Sequence, residues 1–111
     1  MSMIDQQSDI FNEISNILYE YKNNDDDIQI HALVNLVNEN ISSIEKSLTL
    51  KNTGESKSIQ FNIEHSGTIS HEIFKLHGLM KEHTGGAWSE MTLTLTADGQ
   101  LKTDFKYPDK D

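Results

Sequence analysis

The five histidines of this chain could support chemistry, because a neutral imidazole binds metal ions. His71-Glu72 begins like the zinc motif HExxH, but position 75 is a lysine, so the second histidine ligand is missing. His71, His77 and His83 are six residues apart, which turns each about 240° from the last around a helix. We therefore expect surface histidines and no metal site.

Motifs for catalysis are equally sparse. The chain has no cysteine, which removes thiolate chemistry and disulfides, and it contains no G-x-S-x-G nucleophile motif. A general acid would need a sheltered pocket that raises a carboxyl pKa, and close carboxylate pairs arise by chance among eighteen acidic residues. We expect no enzyme activity and no cofactor. The alternative enzymatic function, a small hydrolase, would require a pocket that raises the pKa of a carboxyl group.

Charge is the stronger signal. Eighteen acidic residues face nine basic ones, all of them lysine, for a net charge of -9. A chain without arginine whose field repels phosphate is not expected to bind nucleic acid. Residues 1–45 hold nine acidic residues and one lysine, whereas the other 66 residues hold nine and eight. This uneven charge favours docking to a basic partner, with a solvated surface as the alternative.

A predicted helix over residues 3–22 positions this charge. Its apolar residues recur at helical spacing along one stripe, and four acidic residues fall on roughly the opposite side. The Asn and Asp run at 23–27 then breaks the helix and extends the negative field. The candidate partner-binding residues are Asp5, Asp9, Glu13, Glu20, Asp25, Asp26 and Asp27.

The last hairpin, residues 88–107, has the most specific pattern. Apolar and polar residues alternate on both sides of Ala97-Asp98-Gly99, and only a three-residue loop there keeps the apolar side chains on one face. Trp88, Phe105 and Tyr107 are expected in the core or at its margin, not in a ligand cage. The predicted pairs are Leu95 with Leu101, Leu93 with Thr103, Met91 with Phe105 and Glu90 with Lys106.

In residues 28–50 the strand and helix periods compete. Ile28, Ile30 and Ala32 alternate as in a strand, while apolar residues over 30–48 also fit a helix. Asparagines and β-branched residues favour a strand over 28–36 and a loop to about 43. After a turn at 53–56, Leu50 would pair with Ile59 and Leu48 with Phe61. A second helix is predicted over about 69–83, led in by Ser66-Gly67-Thr68 and ended by Gly85-Gly86.

These elements predict one α+β domain spanning 1–111. Their order is α-β-β-β-α-β-β, with an antiparallel sheet of about five strands and two helices forming a two-layer sandwich. The sequence has no apolar run that would span a bilayer and no secretion signal. We expect a cytoplasmic protein without a membrane partner.

The final hairpin also carries a family resemblance. Trp88, the run Thr92-Leu93-Thr94-Leu95, the turn Asp98-Gly99 and the segment Lys102-Thr103-Asp104-Phe105-Lys106-Tyr107 are similar to the YezG-like family of bacterial immunity proteins. The resemblance implies a non-enzymatic antitoxin from a polymorphic or contact-dependent growth inhibition system. Such a protein is made beside a toxin. In the cytoplasm it binds the C-terminal toxic domain of that toxin, which is often a nuclease. The resemblance supplies no inhibitory motif, so the acidic candidates depend on charge alone.

Two function classes stay open. The first is an immunity protein that covers the basic, phosphate-binding cleft of a nuclease toxin with its acidic side chains. The second is a ligand-binding or regulatory α+β domain without a toxin partner, using a groove between sheet and helices.

Overall fold

The computed structural model describes residues 3–22, 25–38, 40–52, 54–84 and 86–108. Two helices and five strands follow one another in the predicted order, which confirms the α+β class. The helices are α1 (Met3–Tyr21) and α2 (Ile63–Thr84), and the strands are β1 (Asp27–Val37), β2 (Asn40–Asn52), β3 (Glu55–Ile59), β4 (Glu90–Leu95) and β5 (Leu101–Lys106).

The sheet is antiparallel, with the strands in the order β3-β2-β1-β4-β5. Alternate side chains of the central strand β1 are buried, as the period of a strand with one covered face requires. Both helices pack their apolar stripes against that face, so the core lies between two layers. Neither helix has the length and apolar character needed to cross a bilayer.

The core contains side chains from every layer. The fully buried side chains include Ile14 and Leu18 of α1, Ile73 and Leu76 of α2, and Trp88 before β4. Trp88 contacts the ring of Phe105, with a centroid distance of 5.2 Å. Trp88 is therefore a core residue as predicted, and Phe105 lies at the core margin. The prediction is wrong for Tyr107, which is 47% exposed.

The final hairpin has the predicted register. Leu95 pairs with Leu101, Met91 with Phe105 and Glu90 with Lys106. Gly99 has a φ of 91°, and its N–H donates to the carbonyl of Thr96 at 2.9 Å. A β-turn followed by a left-handed glycine closes the three-residue loop and holds the register.

In the middle of the chain, the predicted loop to about residue 43 is wrong, and so is the helical alternative. β2 begins at Asn40 and pairs with β1 as a long hairpin. A bulge sets Leu36 opposite Ile41 and Asn35 opposite Ser43, leaving Ser42 as the extra residue. The bulge turns two apolar residues three apart, Ile41 and Ile44, toward the same face, and a helix also produces this spacing.

The predicted register of the second hairpin is also wrong. Leu48 pairs with Ile59, and Leu50 pairs with Lys57. The connection is two residues shorter than the predicted turn at 53–56, because β2 runs to Asn52 and β3 starts at Glu55. Thr53 lies outside the described residues, and Gly54 has a φ of 77°. Phe61 is not in the sheet and packs edge-on against Tyr21, with ring centroids 5.2 Å apart.

The second helix begins at Ile63, six residues before its predicted start. The side chain of Asn62 accepts the N–H of His65 at 2.7 Å, which satisfies a free donor in the first turn. Ser66, Gly67 and Thr68 therefore lie inside α2 and do not lead into it. The helix ends at Thr84, and Gly85 lies outside the described residues.

Candidate functional site

The solvent side of α1 carries an acidic stripe, which we define as Asp5, Asp9 and Glu13. All three are exposed, on the side of the helix away from the buried Ile14 and Leu18. Within the described part of the chain, Asp9 and Glu13 have no ion-pair partner. Their negative potential is therefore available to an approaching cation.

Glu20, the fourth predicted acid of α1, contacts the second helix. Its Oε2 lies 3.3 Å from Nε2 of His65, and its side chain is 63% exposed. The hydroxyl of Tyr21 lies 2.7 Å from Nδ1 of the same ring and accepts the N–H of Asn62 at 3.0 Å. Glu20 therefore belongs to a polar contact that joins the end of α1 to the start of α2.

The three aspartates after α1 have different surroundings. Asp25 is exposed in the turn, whereas Asp26 and Asp27 are half-buried. The carboxylate of Asp27 accepts the backbone N–H of Ala97 at 2.7 Å, which fixes the β4–β5 loop against the start of β1. Asp26 borders a polar groove that also contains Asn52 and Glu55. The structure thus gives Asp27 a role in the fold.

A groove of about 500 Å³ lies between the two helices, next to the acidic stripe. Phe74 lies at this interhelical groove with 57% of its surface exposed. The sequence places Phe74 off the helical spacing of the buried Ile73 and Leu76, but this position alone does not mark a functional residue. The lining residues are Gln6, Asp9, Ile10, Phe74, Lys75, Gly78, Leu79 and Glu82.

Negative charge dominates the rim of the interhelical groove. Lys75 is the basic residue in the lining, and its Nζ lies 3.1 Å from Oε1 of the buried Glu72. Because that pair compensates the lysine, Asp9 on one helix and Glu82 on the other supply the uncompensated charge. The groove therefore combines an apolar floor with an acidic rim.

Lys46 is a polar residue on the covered face of the sheet, opposite the buried Ala32. Its Nζ donates to the carbonyl of Ser66 at 3.2 Å and to the hydroxyl of Ser70, and burial lowers the pKa of this lysine. The adjacent depression between sheet and α2 has a volume of about 270 Å³, at the low end for a ligand pocket. Both contacts of Lys46 join β2 to α2, so we assign it a structural role.

The open face of the sheet carries a histidine–carboxylate pair. Nε2 of His31 lies 2.5 Å from Oε1 of Glu90 across the β1–β4 boundary, and both side chains are about one-third exposed. The hydrogen bond from His31, aided by nearby Lys106, lowers the pKa of Glu90. The polar neighbours Thr92 and Ser47 flank His31 in the register. A flat, open face of this kind does not shelter a reacting group from water.

The histidines of α2 face different environments. His71 and His83 are exposed and His65 is half-buried, whereas His77 is buried, so the prediction of surface histidines is wrong for His77. In the five described segments, no three His, Cys, Asp or Glu side chains are grouped so that they could hold a metal ion.

No protein-family model matches the sequence, and no curated protein matches it. The resemblance to the YezG-like family therefore stays a prediction.

Proposed function

We propose that this chain is a cytoplasmic immunity protein, a non-enzymatic antitoxin that neutralises a basic toxin domain by binding it. One observation carries the proposal: Asp5, Asp9 and Glu13 form an exposed stripe beside a groove that holds a half-exposed aromatic ring. Aromatic anchors surrounded by a polar rim are typical of protein interfaces that bind tightly.

A nuclease is the toxin class that best complements this surface. A nuclease binds phosphates with lysine and arginine, so its substrate cleft presents positive charge. Opposite charges accelerate the encounter of two proteins, and the acceleration weakens as salt screens them. An acidic antitoxin can therefore reach such a cleft faster than a neutral protein of the same size.

Co-expression tests the proposal directly. The tagged chain is used to capture proteins from the producing cell, and the toxic domain of each captured protein is then expressed in a test bacterium with and without this chain. We expect growth arrest without the chain and normal growth with it. If the captured domains are harmless, or if this chain does not restore growth, the proposal is wrong.

Charge reversal tests which surface is used. We expect Asp9→Lys/Glu13→Lys to slow association with the toxic domain by about tenfold or more at low salt, with a smaller effect at high salt. The control Glu55→Lys/Asp104→Lys changes the net charge equally at exposed positions of the sheet. Association rates are measured by stopped flow. If they fall equally for both double variants, the slower association results from net charge and not from the acidic stripe.

A further inference from the structure

A glycine in the interior of α2 is not explained by the packing of this chain. Gly78 is exposed, and a Cβ built at this position would meet nothing within 4 Å. Glycine weakens a helix interior relative to alanine, because it leaves the backbone more freedom in the unfolded chain. No contact within the described residues therefore requires a glycine here.

The position of Gly78 suggests what it is for. It lies one turn after Phe74 in α2, and both residues line the interhelical groove together with Leu79 and Ile10. With no side chain at Gly78, the groove is open at this position; we call this open space, on the side of Phe74, the notch. Small residues at such a place let a second helix approach closely, because its side chains and backbone meet no Cβ.

The charges around the notch define what fits it. Asp9 on α1 and Glu82 on α2 line the groove, and Lys75 is paired with Glu72. An apolar side chain entering between them would be flanked by carboxylates on both sides. Lysine or arginine one turn away from that apolar residue on a partner helix would meet these carboxylates.

We propose that the interhelical groove binds a basic amphipathic helix of the partner, with an apolar side chain of that helix seated in the notch between Phe74 and Gly78. The inference rests on the proposed function, because it takes the toxin domain as the source of the helix. It adds an apolar anchor to the electrostatic surface, and so predicts that part of the affinity survives high salt.

Filling the notch tests the inference. Gly78→Gln places a side chain in the groove without changing charge, and glutamine is a better helix former than glycine. The matched control is Gly67→Gln, because Gly67 is also an exposed glycine of α2 with no atom within 4 Å of a built Cβ. Gly67 precedes Gly78 by eleven residues, about 16 Å along the helix, and does not line the groove.

We expect Gly78→Gln to weaken binding of the neutralised toxin domain at least about tenfold by calorimetry, mainly through faster dissociation. Phe74→Ala should do the same, while Gly67→Gln binds like the parent chain. Circular dichroism checks that each variant is folded. If the parent chain neutralises the toxin and both groove variants bind it equally well, the groove inference is wrong and the immunity function stands.

A synthetic probe tests the groove without the toxin. The probe is a helical peptide of leucine and lysine with the leucines on one face, and its control has the same composition in scrambled order. We expect backbone amide shifts at Phe74, Gly78 and Leu79 with the amphipathic peptide, and their loss in Gly78→Gln. Equal shifts with the scrambled peptide would show charge attraction alone and overturn the inference, whatever the outcome with the toxin.

Discussion

The imidazole of His77 donates from Nε2 to the backbone carbonyl of Trp88 at 2.9 Å, and the two rings meet edge-on with centroids 4.9 Å apart. Because a carbonyl only accepts, this contact fixes the tautomer that carries its proton on Nε2. His77 is 3% exposed. The neutral ring thus joins α2 to the segment before β4 inside the core.

This contact predicts a loss of stability in mild acid. Burial, followed by the charge of Lys81, lowers the pKa of His77 below its usual value of 6.5, against the opposing effect of the Trp88 hydrogen bond. The unfolded chain then binds the proton more readily than the folded one. Stability from this group is complete above pH 6.5 and falls as the pH drops from there toward the folded-state pKa.

Urea unfolding followed across about pH 5 to 7.5 checks the prediction. We expect His77→Gln, which keeps a donor but cannot be protonated, to flatten the pH dependence in this window. His71→Gln changes an exposed histidine of the same helix and should leave the slope intact. An unchanged slope in His77→Gln would assign the acid sensitivity to another group.

Trp88 gives a second stability prediction. The residue is fully buried, and among the described residues its Nε1 has no hydrogen-bond partner. Trp88→Ala should cost about 3–5 kcal/mol of the free energy of unfolding, because it leaves a cavity. Trp88→Phe should cost less than half as much, since removing an unpaired buried donor recovers about 1–3 kcal/mol. Equal losses by urea unfolding would show that the N–H is satisfied by water.

The sequence predicted structure best where local rules agreed. At the last hairpin, the alternation of Leu93 and Leu95 with threonines and the left-handed preference of Gly99 specify one register together. The bulge at Ser42 instead made the local pattern ambiguous. It inserts one residue into β2, so the apolar spacing imitates a helix and no local rule resolves it.

Only part of the candidate site could be predicted, because local rules describe single segments and not how the segments pack. The exposed positions of Asp9 and Glu13 on α1 follow from helical spacing within one segment, so the sequence predicts them. The groove needs α1 and α2 to pack side by side, which brings Asp9 into the same lining as Phe74. Similarly, the His31–Glu90 contact arises because β4 pairs with β1, a neighbour that the chain order does not specify.

Three of the glycines that the structure describes differ in conformation, which predicts opposite effects of alanine. Gly67 and Gly78 lie inside α2, and a built Cβ meets no atom within 4 Å at either. Alanine at each should raise the free energy of unfolding by about 0.5–1 kcal/mol. Gly99 has a φ of +91°, and its built Cβ would lie 3.1 Å from the Tyr19 hydroxyl.

We therefore expect Gly99→Ala to destabilise by about 1–2 kcal/mol, because a left-handed backbone is costly for a residue with a Cβ. Urea midpoints of the three single variants, compared with the parent chain, measure both directions. A lower midpoint for Gly67→Ala would contradict the open space at that position.

The acidic residues should separate into those that hold the fold and those that bind a partner. Asp27 accepts the N–H of Ala97 at 2.7 Å, so Asp27→Ala should lower the free energy of unfolding by about 1 kcal/mol. It should leave association with the proposed toxin domain unchanged, because that carboxylate is engaged within the fold by the N–H of Ala97. Asp9→Ala should slow association and leave the free energy of unfolding within about 0.5 kcal/mol. Urea unfolding and association rates, measured on both variants, separate the two roles; slower association in Asp27→Ala at unchanged stability would move the binding surface to the turn after α1.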